Sequence, residues 1–166
     1  MSEAIRVGMS EIVVAKAPKV LVTLGLGSCV AVCIYDFFLK AGGMAHIMLP
    51  DSSLSSGSRD KVVTNRGKFA DTAIPDLFEA LRQEGALKER MVVKIAGGAQ
   101  MFAFSDVNNT LQIGARNIEA VEKILAEMGL KITNRSVGGN VGRSVYMDLE
   151  TGGVRIKMLN SPEIIL

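Results

Sequence analysis

The chain of 166 residues is poor in the side chains that recognise nucleic acids. It has no Trp, two Tyr and six Phe, and its formal net charge is only +2. Nucleic-acid binding relies on basic surfaces that neutralise phosphates, often with aromatic rings on which bases stack. We therefore expect no nucleic-acid partner.

Secretory and membrane signals are also missing from the sequence. The first residues lack the basic and then apolar pattern of a secretory signal, which predicts a cytoplasmic protein whose two cysteines stay reduced. The longest apolar stretch, residues 20–38, is interrupted by Gly25, Gly27, Ser28 and Asp36. These breaks favour two strands around a turn over a spanning helix, so no membrane insertion is expected.

Motifs for cofactors and metals are incomplete. The segment GLGSCV lacks the third glycine of a dinucleotide fingerprint, and GGNVGRS carries Arg143 where a phosphate-binding loop has lysine. Zinc would find only Cys29, Cys33 and His46 as soft ligands, too few for a four-ligand structural site. The sequence thus predicts neither a cofactor nor a metal.

What the chain does have is the composition of a packed domain, with 48% hydrophobic and 22% charged residues. Short β-type runs predict antiparallel strands at residues 5–7, 12–16, 20–24, 29–35 and 43–49, and further strands at 91–95, 132–136, 144–149 and 154–159. Ile74, Leu77 and Leu81 recur at helical spacing, as do Val121 and Leu125.

This order of elements predicts an α+β fold with layered sheets and two main helices on one side. We expect one domain spanning residues 1–166, since 166 residues can bury a sizeable core. The serine-rich segment 51–60 is typical of a mobile surface loop, and residues 160–166 form a tail without a predicted structure.

The single histidine, His46, is the only imidazole that could activate a cysteine nucleophile in this chain. With a hairpin loop at residues 36–39, counting along two antiparallel strands predicts that Cys29 lies directly opposite His46. Opposed residues have Cβ atoms about 4.5–5.5 Å apart on one face of the sheet. A slip of one residue would separate them, so the register is the decisive expectation.

Thr23 is the third candidate. A turn at residues 25–28 would bring it diagonal to Cys29, and the glycines of this turn would leave backbone N–H groups free to bind an oxyanion. An imidazolium close to Cys29 would lower the pKa of the thiol and make it nucleophilic. The hydroxyl of Thr23 could then fix the imidazole tautomer, as a carboxylate or amide does in other triads.

Simpler interpretations of the same residues stay open. Cysteine is among the most buried residue types, so Cys29 and Cys33 could both be small core residues. His46 could be a hydrogen-bonded core histidine, and Thr23 a good strand residue. The segment AGGAQMF ends in an exposed apolar group that could dock a partner, with Phe102 as its anchor.

The motifs TLGLGSCVAV (residues 23–32) and GGMAHIMLPDS (residues 42–52) resemble the CheD family of chemoreceptor glutamine deamidases. The likeness continues through FADTAIPDL, KIAGGAQMF, IGARN and VGGNVGRSVYMDLETGGVRIK. It covers most of the chain, roughly residues 4–159, and the threonine, cysteine and histidine motifs stand in the right order without gaps.

The resemblance implies an α/β/β sandwich and a hydrolase with a cysteine nucleophile. It implies hydrolysis of selected glutamine side chains on methyl-accepting chemotaxis receptors, with Cys29 as nucleophile, His46 as base and acid, and Thr23 orienting the imidazole. Members of the family also bind the phosphatase CheC in many bacteria, which makes CheC a possible partner here.

Two alternatives differ from this deamidase hypothesis. A non-catalytic chemotaxis adaptor that binds a receptor or CheC through the Phe102 region would not need Cys29. A cysteine hydrolase acting on backbone amides or methyl esters would use the same acyl-enzyme chemistry with another leaving group.

Overall fold

The computed structural model describes residues 2–54, 63–101 and 112–166, and the described residues form three layers. In chain order the elements are β1 (Ala4–Arg6), β2 (Ile12–Lys16), β3 (Val20–Leu26), β4 (Val30–Asp36), β5 (Ala41–Ile47), α1 (Ala70–Gln83), β6 (Met91–Gly97), α2 (Ile113–Glu127), β7 (Ile132–Val137), β8 (Arg143–Asp148), β9 (Val154–Met158) and β10 (Ile164–Ile165).

The strands form two five-stranded sheets within the described residues. The helix-side sheet has the order β2-β5-β4-β6-β7, and the outer sheet has the order β1-β3-β8-β9-β10. The β1–β3 and β6–β7 pairs are parallel, whereas the other pairs are antiparallel. Helices, helix-side sheet and outer sheet stack as an α/β/β sandwich, which confirms the predicted α+β class.

The first five strands do not form the predicted antiparallel meander. Strand β1 pairs with β3 in the outer sheet, and β2 pairs with β5 in the helix-side sheet. Of the consecutive pairs among these five strands, only β4 and β5 form a hairpin. Local β patterns could not reveal this division, because the choice of sheet depends on contacts distant in sequence.

Strand β4 shows how the two cores are built. Its seven residues are all buried, as expected for a central strand covered on both faces. Alternate side chains of this strand point to opposite faces of the sheet. Val30, Val32 and Ile34 pack in the core under the helices. Ala31 and Cys33 pack in the core between the sheets. Odd-numbered positions of this strand therefore face the outer sheet.

Helix α1 buries the predicted stripe of Ile74, Leu77 and Leu81. It begins at Ala70, so Pro75 lies inside the helix and not in its first turn. Proline has no N–H, so the helix loses one backbone hydrogen bond at this point.

Helix α2 ends at a glycine in the left-handed conformation, Gly129, which has a φ of 70°. The N–H of Gly129 donates to the carbonyl of Ala126, and that of Leu130 donates to the carbonyl of Leu125. This pair of bonds is a Schellman motif, in which glycine adopts the left-handed conformation without steric cost.

Regular structure occurs in two segments for which the sequence predicted a loop or a tail. In the predicted loop 51–60, Ser52–Leu54 forms a 3-10 turn and both the N–H and the hydroxyl of Ser52 donate to the carboxylate of Asp71. Residues 55–60 lie outside the described residues. In the tail, β10 pairs with β9 at the edge of the outer sheet.

No helix in the described part of the chain is long and apolar enough to cross a membrane.

The β4–β5 hairpin closes around a buried carboxylate. Asp36 pairs with Ala41, so the loop comprises residues 37–40. The carboxylate of Asp36 is fully buried and accepts hydrogen bonds from the N–H groups of Phe38, Leu39 and Leu87. Arg90 adds a charged bond at 2.9 Å. Burial alone would raise the pKa of Asp36, but these donors hold it below its ordinary value.

Replacing Asp36 by asparagine is expected to lower the free energy of unfolding by about 3 kcal/mol, because the Arg90 guanidinium loses its buried partner. The depressed pKa means that this stabilisation is present above the unfolded pKa of about 3.9 and is lost as pH falls through the folded pKa. Urea unfolding near pH 7 and at acidic pH measures it. The matched control, Asp76→Asn, breaks an exposed pair with Arg66 and should have a much smaller effect. Equal losses in both variants would contradict the prediction.

Candidate functional site

Thr23 and His46 meet between the two sheets. Thr23 lies on β3 of the outer sheet, His46 on β5 of the helix-side sheet, and they are 1% and 4% exposed. The Thr23 Oγ1 atom is 2.8 Å from Nδ1 of His46. The structure therefore brings two of the predicted site residues together across the sandwich. The sequence instead placed Thr23 in the site through a turn between neighbouring strands.

The hydrogen bonds of Thr23 determine the tautomer of His46. The Thr23 hydroxyl donates its only proton to the carbonyl of Val7, 2.7 Å away. Its oxygen can therefore only accept from the imidazole, so Nδ1 of His46 carries a proton and Nε2 is left with its lone pair. A buried imidazole with a free Nε2 can act as a base.

Burial also keeps His46 neutral. Desolvation lowers the pKa of His46 below its ordinary value, and this effect outweighs the opposing influence of the Val7 carbonyl and the Glu11 carboxylate. The imidazole is thus predominantly unprotonated near pH 7.

Because His46 is the only histidine, NMR can test this assignment without ambiguity. We expect the imidazole ¹⁵N spectrum to show protonated Nδ1 and unprotonated Nε2, with a pKa below about 6.5. Thr23→Val should shift the tautomer populations, whereas Thr23→Ser, which keeps the hydroxyl, should leave them nearly unchanged. A parent imidazole protonated at Nε2 would contradict the assignment.

The sequence predicted that Cys29 lies directly opposite His46, and this prediction is wrong. The hairpin pairs Ala31 with His46 and Val30 with Ile47, and Cys29 precedes the first residue of β4. The predicted loop was 36–39 and the observed loop is 37–40, which changes the register by two residues. A two-residue shift preserves the face, and Cys29 packs against the core between the sheets, the side on which His46 meets Thr23.

The thiol of Cys29 is half-buried and packs against the core between the sheets. This desolvation raises the pKa of Cys29, so the resting thiol is protonated. The sequence predicted a thiol activated by an imidazolium. In the structure, burial instead favours the neutral thiol and the neutral imidazole.

The segment before Cys29 differs from the predicted hairpin turn. Residues 27–29 connect β3 of the outer sheet to β4 of the helix-side sheet, and these strands do not pair. Gly25, with a φ of 66°, lies at an irregularity in the β3–β8 pairing. In the described part of the chain, the N–H groups of Ser28 and Cys29 have no protein acceptor.

Gly98 explains why the N–H of Cys29 is free. The β4–β6 ladder ends at Val30–Gly97, and Gly98 donates to the carbonyl of Cys29 at 2.8 Å without receiving a bond in return. Gly98 has a φ of 68°, and its carbonyl lies against Gly114 of α2. A Cβ on Gly97 would come within 2.2 Å of the Cys29 carbonyl oxygen, so the glycine pair shapes the backbone beside the thiol.

Sequence reasoning missed this role of Gly97 and Gly98, assigning their segment to partner docking. Phe102, the proposed anchor, lies outside the described residues, so its role stays a prediction. Met101 is described: its side chain is about half exposed and lies against Gly27 and Gly142, close to the Cys29 segment. Sequence reasoning also missed the Val7 carbonyl, because a backbone acceptor leaves no signature in side-chain patterns.

Among residues 2–54, 63–101 and 112–166, no three His, Cys, Asp or Glu side chains lie close enough to hold a metal ion. Fold and site thus define a class: a layered α+β sandwich in which a half-buried thiol packs against the core between the sheets, where a threonine is hydrogen-bonded to an imidazole.

Comparison with known proteins identifies the family. Residues 48–158 match the sequence model of a family described as CheD chemotactic sensory transduction. A probable chemoreceptor glutamine deamidase CheD of Clostridium novyi is 46% identical over 155 residues, 93% of each chain. The chemoreceptor glutamine deamidase CheD of Thermotoga maritima is 48% identical over 157 residues, 95% of this chain and 93% of its own.

A probable chemoreceptor glutamine deamidase CheD of Syntrophomonas wolfei is 42% identical over 166 residues, the whole of both chains. This chain belongs to the CheD family. The span matched by the family model begins after His46, so Thr23, Cys29 and His46 lie within the relatives' alignments but outside that span.

Proposed function

We propose that this protein is a cytoplasmic protein-glutamine deamidase that converts selected glutamine side chains of methyl-accepting chemotaxis receptors to glutamate and ammonia. Cys29 is the nucleophile, His46 the base and acid, and Thr23 the residue that orients the imidazole. The observation that carries the proposal is the distance of 2.8 Å between Thr23 Oγ1 and His46 Nδ1, together with the hydrogen bond that the Thr23 hydroxyl donates to the Val7 carbonyl. The relatives named as chemoreceptor glutamine deamidases support the choice of substrate.

The reaction begins from the neutral pair. Nε2 of His46 accepts the thiol proton while the sulfur of Cys29 attacks the carbonyl carbon of the glutamine side chain. The electron pair of the C=O bond moves to oxygen, and the free N–H groups of Ser28 and Cys29 are suited to stabilise that oxyanion. The protonated His46 then donates to the amide nitrogen, the C–N bond breaks, and ammonia leaves a thioester on Cys29.

Hydrolysis of the thioester reverses these proton movements. His46, neutral again, accepts a proton from water as the water oxygen attacks the thioester carbon. The C–S bond breaks, the sulfur recovers its proton from His46, and glutamate is released. The direction of the Thr23 hydroxyl matters in both halves, since it keeps Nε2 as the atom that exchanges protons.

Two further parts of the proposal come from sequence. We take residues 1–166 to act as one deamidase domain, and we keep CheC phosphatase as a possible partner through the Phe102 region. A non-catalytic adaptor and a hydrolase of backbone amides or methyl esters are the competing outcomes of the test below.

The test is incubation of the purified protein with a purified receptor cytoplasmic fragment. We expect release of one ammonia for each glutamine that gains one dalton in mass, at a small set of positions. Cys33→Ala should behave like the parent, because Cys33 is buried within β4 and burial raises its pKa to about 12. Absence of any mass gain, with receptor binding retained, would contradict the proposal and favour the adaptor. Cleavage of the backbone or of methyl esters without deamidation would favour the other hydrolase.

A further inference from the structure

The strands that carry the proposed nucleophile and base separate at the site. Strands β4 and β5 pair as far as Val30 and Ile47. Beyond this point the β5 side turns away, because the N–H groups of Met48 and Leu49 both donate to the carbonyl of Lys68, at 2.9 and 3.0 Å. The backbone ladder therefore no longer joins the Cys29 segment to the segment that follows His46.

The side chain of Asn117 on α2 lies in the gap where the Cys29 segment and the segment after His46 separate, which we call the fork. This side chain is fully buried, and Nδ2 donates to the carbonyl of Ser28 and to the carbonyl of Met48, each at 2.9 Å. One acceptor immediately precedes Cys29 and the other follows His46 by two residues. A single amide thus replaces the missing ladder at the end of the hairpin.

The chemistry of the fork suits an amide better than the other small polar groups. Both protons of Nδ2 are used, whereas a hydroxyl has one proton and a carboxylate would face two carbonyl oxygens. Oδ1 of Asn117 is buried and has no hydrogen-bond partner among the residues that the structure describes. An unpaired buried acceptor is unfavourable for stability, so the residue is poorly explained by stability alone.

Helix α2 is fitted closely enough to deliver this side chain. A Cβ on Gly114 would come within 2.6 Å of the carbonyl oxygens of Gly98 and Ala99, so only glycine allows the helix to approach. Asn117 lies three residues later, on the same face of the helix. The motif IGARN therefore combines a close approach beside Gly98 with a clamp on the Cys29 segment.

We propose that Asn117 is a positioning residue, which holds the Cys29 segment and the His46 segment in register where their strands separate. The inference rests on the proposed function, since it assigns Asn117 to the geometry of that reaction. The two hydrogen bonds of Asn117 go to backbone carbonyls and not to the thiol. It acts through the Ser28 carbonyl, and so on the direction of the free Cys29 N–H.

The test compares Asn117→Ala and Asn117→Asp with Tyr35→Phe, at temperatures where each is fully folded by circular dichroism. Tyr35→Phe is matched, because it deletes one buried bond from a side chain to a carbonyl, that to Leu149, away from the site. We expect kcat for receptor deamidation to fall about 10- to 100-fold in both Asn117 variants, with KM changed less than about threefold. Asn117→Asp fills the same space as asparagine, so a loss of kcat in this variant would not reflect a cavity.

The second measurement does not depend on deamidation. The rate of Cys29 alkylation by iodoacetamide, followed against pH by peptide mapping, reports the freedom of the segment. We expect the apparent pKa of Cys29 in Asn117→Ala to fall towards the ordinary thiol value, because the released segment is better solvated. Tyr35→Phe should match the parent.

The outcomes separate the two proposals. A parent without deamidase activity, combined with the alkylation change in Asn117→Ala, would overturn the proposed function and support the positioning role. Asn117 variants that match Tyr35→Phe in both kcat and alkylation would overturn the positioning role.

Discussion

Cys29→Ala is expected to lower the rate of receptor deamidation by at least about 10⁴-fold, the scale at which loss of a covalent nucleophile acts in hydrolases of this chemistry. Without sulfur at this position the acyl-enzyme cannot form, and the residual activity would come from binding and the oxyanion donors. Mass spectrometry of the receptor fragment gives the rate. Because Cys29 lies outside the regular part of β4, its replacement by alanine should leave the fold intact.

Cys33→Ala is the matched control for this loss. The two cysteines are four residues apart, but Cys33 is 2% exposed and packs between the sheets, whereas Cys29 is half-buried. Iodoacetamide should label Cys29 and spare Cys33. Receptor binding by Cys29→Ala should persist, which distinguishes a missing nucleophile from misfolding. Full deamidation by Cys29→Ala would rule out the thiol mechanism.

His46→Gln is expected to lower kcat about 10³- to 10⁴-fold, because it removes both the base that accepts the thiol proton and the acid that protonates the amide nitrogen so that it leaves as ammonia. Retained near-parental kcat would rule out His46 as the proton carrier.

The pH dependence of the parent follows from the same pair. Activity should rise with pH as His46 loses its proton, with a midpoint below about 6.5, because burial lowers its pKa. It should fall above about 8.5 as the thiol of Cys29 ionises, since burial raises that pKa and no proton is then left for the leaving group.

In His46→Gln the acidic limb should disappear and the residual activity should increase with ionisation of the thiol. Initial rates of ammonia release across this range measure both profiles. An acidic limb that survives unchanged in His46→Gln would mean that another group governs it.

The neutral pair changes what can be learned from the thiol by itself. A titration of Cys29 at or above the ordinary thiol pKa does not by itself indicate an adaptor without activity. Burial raises the pKa of Cys29 in the resting protein, so such a titration is expected of the enzyme as well. Only the comparison with His46→Gln in the presence of substrate separates the two.

The β4–β5 hairpin shows how much of the strand pairing residue patterns could predict. Strand counting identified the correct pair of strands and the correct face, but the register was two residues off. The error lay in the loop, where Asp36 remains paired with Ala41 and its buried carboxylate binds the N–H groups of Phe38 and Leu39. That carboxylate is stabilised by Arg90 and Leu87, more than 50 residues away, so the hairpin sequence alone could not reveal it.

Sequence by itself determined the class of fold, the positions of most strands and both helices, and the three residues Thr23, Cys29 and His46 as candidates. Periodicity, glycines and the scarcity of histidine are local properties, which is why they could be read directly. The tertiary structure decided which sheet each strand joins, and so that Thr23 reaches His46 across the sandwich. It also decided that burial raises the pKa of Cys29 and lowers the pKa of His46, and that Asn117 lies in the fork between their strands. These features depend on contacts between residues distant in sequence and on the exclusion of water, which exist only once the layers have packed.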